Sequence, residues 1–147
     1  MHVRPIVLVQ AAAFLAVAGC DGRNEVALSA TSTAHAVTEM ACADAPKLRQ
    51  RALDDRRQSG EATSDQQRIV IGSRASVLAS LAIIADLRCR VTSAEAEEAM
   101  KPLFEAVRRA EDTNSFYERA FAWGDANFYA TQAVEILVRD LSALSAE

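Results

Sequence analysis

Apolar positions recur along most of this chain at intervals of three and four residues, the period of helices buried on one side. Ala41, Ala45, Leu48 and Ala52 set the first such stripe, which predicts a helix ending at Ser59, ahead of Gly60. Its start falls near Thr38 or Asp44; Pro46 suits only a first helical turn, which favours Asp44 as the N-cap. A second helix opens on Ser64-Asp65-Gln66-Gln67, a capping box, and continues to about Arg90. Ile71, Ala75, Leu78, Ala82, Ala85 and Cys89 form one face of it, with Val70, Val77, Leu81 and Ile84 alongside. A third begins at Thr92 or Ser93 and carries Ala96, Met100, Leu103, Val107 and Ala110 inward; Pro102 interrupts that pattern and predicts a kink. The fourth runs from about Ser115 to Ala143 on the stripe Phe116, Ala120, Trp123, Asn127, Ala130, Val134, Leu137, Leu141, Leu144. Only 5 Gly and 3 Pro occur, too few to punctuate many short strands. The expected fold class is all-α, an up-and-down bundle of about four helices.

The first residues follow another pattern. His2 and Arg4 precede an apolar run from Ile6 to Ala18 broken only by Gln10, the layout of a secretory signal. Val17-Ala18-Gly19-Cys20 closes it: a branched apolar residue, two small residues and a cysteine. This end resembles the lipobox of bacterial lipoproteins. The resemblance implies that Cys20 receives a diacylglycerol, that residues 1–19 are cleaved off, and that the new amine is acylated. Lipidation of this kind would hold the chain to a membrane stably. Asp21 would favour inner-membrane retention under the enterobacterial sorting rule, a rule that varies among bacteria. Residues 20–37, rich in small and hydroxylated side chains, read as a flexible tether reaching about 20–25 Å. Residues 38–147 are then the helical domain, on the periplasmic face of the cell envelope.

Charge and chemistry narrow the function further. A net charge of −4 argues against nucleic acid as a partner. The run Arg49 to Gln58 mixes Arg and Asp and reads as a solvated helix face. Ile69 to Leu87 is apolar, yet Arg74, Asp86 and three serines mark it as the most buried helix of a bundle rather than a span. The histidines are His2 and His35, so the folded domain holds no imidazole. Triads, common zinc and haem sites and the di-iron bundle motif all lack their key residue. No enzyme activity, metal or cofactor is expected. Cys42 and Cys89 remain; near the start of the first helix and the end of the second, they meet in an antiparallel pair and suit a disulfide.

The aromatic residues are concentrated. Phe116, Tyr117, Phe121, Trp123, Phe128 and Tyr129 fall within fourteen positions. Phe116 and Trp123 lie on the core stripe. Tyr117, Phe121 and Phe128 share a second stripe, about 100–140° away. Clustered rings are mostly buried, so the first expectation is the flank of a wide core. The other is an exposed ridge that docks a protein partner or lines a ligand groove, with Gly124 allowing close approach of backbone. The functional expectation is a lipid-anchored accessory or protein-binding component of a bacterial envelope assembly. Its plan of anchor, small helical domain and disulfide is similar to that of secretion pilotins, in organisation only. The alternatives are a bundle holding a small apolar ligand or lipid, and an immunity or inhibitor-type lipoprotein.

Overall fold

The computed structural model describes residues 40–146. The lipobox, Cys20 and the tether lie outside the described residues. A 3-10 turn at Cys42–Asp44 leads into four helices: α1 (Ala45–Glu61), α2 (Asp65–Arg88), α3 (Ala94–Asp112) and α4 (Phe116–Leu144). The bundle is all-α, as the periodicity requires.

Local chemistry sets the helix starts. The hydroxyls of Ser64, Ser93 and Ser115 accept the backbone N–H of Gln67, Ala96 and Glu118, each satisfying an otherwise orphaned donor. Asp44 does not cap α1. Its carboxylate instead accepts the Ala41 N–H at 3.0 Å, closing the preceding 3-10 turn, while Pro46 occupies the first turn of the helix. Two expected ends also shift. Helix α1 passes through Gly60 to Glu61, and α2 stops at Arg88, where the N–H groups of Arg90 and Val91 both turn back to the Leu87 carbonyl. Helix α3 continues unbroken through Pro102.

Consecutive helices form two antiparallel hairpins. The Ser59 hydroxyl near the end of α1 donates to the Arg68 carbonyl near the start of α2. At the opposite end, Cys42 and Cys89 stand at disulfide-bonding distance, Cα atoms 5.5 Å apart, and are joined. In the second hairpin Arg139, near the end of α4, grips Glu95 at the start of α3. The hairpins meet across α2 and α4, so lateral order is α1, α2, α4, α3. The chain path is up and down, but the second and fourth helices are neighbours and run parallel. Trp123, Leu81, Ile84, Met100, Leu103 and Leu137 fill the centre.

Among the described residues one charge pair lies inside. Arg74 and Asp55 are 3% and 5% exposed. Arg74 donates through Nε at 2.6 Å and Nη2 at 2.8 Å to the two carboxylate oxygens, bridging α2 to α1. The Arg–Asp run of α1 is therefore not wholly a solvated face. Helix α2 is long and apolar enough to cross a membrane by length and composition, but half of its apolar window is buried in the bundle.

The tie between α3 and α4 is exposed and built from titratable groups. Arg139 hydrogen-bonds Glu95 and holds its carboxyl below the usual range. The Ser93 hydroxyl and then Arg139 do the same for Asp140, and the two acids raise Arg139 in turn. Depressed carboxylates stabilise the fold above their unfolded pKa, near 4, and lose that contribution as pH falls through their folded values. Thermal melts from pH 6 to pH 2 are expected to show a small loss beginning below about pH 4. Arg139→Gln is expected to shrink that loss; an unchanged pH profile in this variant would refute the tie. High salt is expected to weaken it as well.

Candidate functional site

Trp123, Ala130 and Leu137 of the expected stripe are buried, but the centre of the buried face of α4 is shifted from the line of Phe116 and Val134. Ala122, Trp123, Ala126, Ala130, Ala133 and Leu137 are its buried residues. Their direction lies roughly 70° from the line through Phe116 and Val134, counting about 100° per residue. The cause is steric. Four alanines form a seam that lets neighbouring helices come close, so the bulkier Phe116, Val134 and Leu141 flank the contact and stay half-buried.

That rotation carries Tyr117, Phe121 and Phe128 to the outside. They are 71%, 74% and 58% exposed. With Gly124 they run along the helix about 180° from its buried face. The rings are a ridge, and the wide-core expectation is overturned. Each end of the ridge is steadied by a half-buried neighbour: Tyr117 meets Phe116 edge-on with centroids 5.2 Å apart, and Phe128 meets Tyr129 at 5.5 Å.

Charged groups border the ridge on its α3 side. Arg109 pairs with Asp125, Thr113 donates to Glu118, and Arg119 donates to the Thr113 carbonyl. Glu105, Arg108, Arg109, Asp112, Thr113 and Glu118 line an open groove of about 590 Å³ there. All of these residues but Thr113 are charged, and the groove is open to solvent. The rings stand beside it and do not line it. No cluster of three or more His, Cys, Asp or Glu that could hold a metal occurs among the described residues.

The structure also reveals a pair that the sequence reading passed over, Asp55 and Arg74. A signal existed. Asp55 continues the buried spacing of Ala45, Leu48 and Ala52, and Arg74 falls between Val70 and Leu78 on the buried face of α2. Each is a charge at a core position of its own helix. The pair is buried between two helices and Arg74 forks onto both carboxylate oxygens of Asp55, so its part is structural.

No family model, curated protein or solved structure matches this chain.

Proposed function

We propose that this chain is a lipid-anchored envelope protein that works by docking a protein partner on the α4 ridge, as an accessory component of a bacterial envelope assembly. One observation carries this reading: three large rings stand exposed on a single helix face, opposite the core. Aromatic residues are enriched where proteins bind proteins, and water-exposed rings contribute little to a fold. The lipobox-like end at Cys20 supports the anchor. The strong exposure of the rings favours a protein partner over a small ligand, which would need concave walls around them.

The position of the ridge suits that role. The chain enters the bundle at Met40, buried beside the Arg88 guanidinium that bonds its carbonyl. Arg139 marks the same end of α4, and Tyr117 lies about 33 Å away along the helix at 1.5 Å per residue. The ridge therefore occupies the half of the bundle farther from where the tether joins.

Phe121→Ala tests the docking. Because the ring is exposed, stability is expected to change by less than about 0.5 kcal/mol. Capture by a photocrosslinker placed at Tyr117 is expected to fall about tenfold or more, as for a hot-spot ring. Unchanged capture would sink the reading. For the anchor, labelled palmitate is expected to enter the protein and to be lost in Cys20→Ser; a labelled Cys20→Ser chain would refute it.

A further inference from the structure

The geometry of the ridge points to its occupant. We infer that a second copy of this chain docks there, α4 against α4 in antiparallel orientation, about a two-fold axis beside Gly124. This inference rests on the docking reading above and names the partner.

Gly124 supplies the first argument. It lies in the interior of a 29-residue helix. A Cβ at this position would meet nothing within 4 Å among the described residues, and no described glycine has positive φ. Glycine weakens a helix interior relative to alanine. Among the described residues neither packing nor backbone conformation calls for it. Another helix crossing the ridge would, because the missing side chain lets two backbones come together.

Symmetry supplies the second. An isologous interface must be complementary to itself. A two-fold between Gly124 and Asp125 places Phe121 of each copy opposite Phe128 of the other and Tyr117 opposite Gln132. The two glycines meet at the crossing. The pattern that looks like a broken stripe in one chain is thus a matched pair of knobs around a gap.

Area and charge supply the rest. Rings exposed by 58–74% offer about 400 Å² together, taking roughly 200 Å² for each. That is about half of what each protomer gives to a standard interface. Gly124, Thr131, Gln132 and Val138 lie on the same side of α4 to supply the rim. Asp125 next to the axis would meet its own copy, but Arg109 of the same chain already neutralises it. A lipid surface is the poorer occupant: α4 has no basic residue between Arg119 and Arg139, and the chain is net negative at −4.

The test uses the full chain purified in mild detergent. Sedimentation is expected to give twice the protomer mass at micromolar concentration. Gly124→Leu is expected to keep or raise the melting temperature while weakening self-association at least tenfold. A photocrosslinker at Phe121 is expected to join two copies, with the bond mapping next to Phe128. A single-copy mass throughout the micromolar range, or self-association unchanged in Gly124→Leu, would overturn the inference. If the chain is single-copy and position 121 crosslinks only another envelope protein, self-docking falls and the docking reading stands. If position 121 crosslinks nothing, both fall.

Discussion

Asp55→Ala is expected to destabilise the protein by about 3–5 kcal/mol, because it strands the Arg74 guanidinium inside the bundle. Arg74 is 3% exposed and spends its fork on the two oxygens of Asp55. Neither group can reach water once its partner is gone. A domain of this kind holds about 5–15 kcal/mol in total, so the single change removes a large share. Replacing both groups with apolar residues of similar size has the opposite logic. Desolvating the pair costs roughly what its attraction returns, so Asp55→Leu with Arg74→Met is expected to fall close to the parent protein or above it. Urea unfolding of the singles and the double measures this directly. A double variant as unstable as Asp55→Ala would show that the pair contributes much more than mutual cancellation.

The second large effect is expected on reduction of Cys42–Cys89. The bond joins residues 47 apart in sequence. In the chain-entropy model, opening a loop of that length costs roughly 4 kcal/mol, mostly through the unfolded state. Both cysteines lie at the surface, so a reductant reaches the bond without unfolding the bundle. The melting temperature is expected to drop by ~20 °C. Helical circular dichroism at low temperature is expected to persist, because the core beneath does not depend on the bond. Cys42→Ser is expected to match the reduced protein. A melting temperature insensitive to reductant would contradict the account, and so would loss of the helices at low temperature. Locally, the bond and the Arg88 contact both secure the entry of the chain at Met40. Proteolysis there is expected to accelerate on reduction.

Much of the helical frame was readable from the chain because it rests on short-range rules. Ser64, Ser93 and Ser115 cap helices through bonds three residues away, so each cap is visible in a four-residue window. The stripes of the first three helices largely agree with their buried faces for the same reason, since one residue's direction fixes that of its neighbours at three and four; the exceptions are Ala41 and Cys89, exposed at the helix ends, and the half-buried Ile71. The pairing of Cys42 with Cys89 followed once two helices were known to run antiparallel. Asp44 shows the limit: the residue was placed correctly at the helix start, but its carboxylate had a nearer donor in Ala41.

Sequence by itself determined the helix count, the serine caps, the disulfide partners and the absence of histidine from the domain. The lipobox reading also belongs to sequence alone, since those residues lie outside the described structure. Tertiary structure decided which face of α4 points inward. Phe116 with Trp123 and Ala122 with Ala126 keep the same helical period, so periodicity cannot choose between a stripe of rings and a seam of alanines. The choice depends on how closely α2 and α3 approach, and close packing selected the alanines. That one rotation, set by neighbours distant in sequence, kept Trp123, which both faces share, in the core and left Tyr117, Phe121 and Phe128 in water. The same long-range packing turned Asp55 inward from a run of charges, because Arg74 waits on the facing helix and no local rule connects the two.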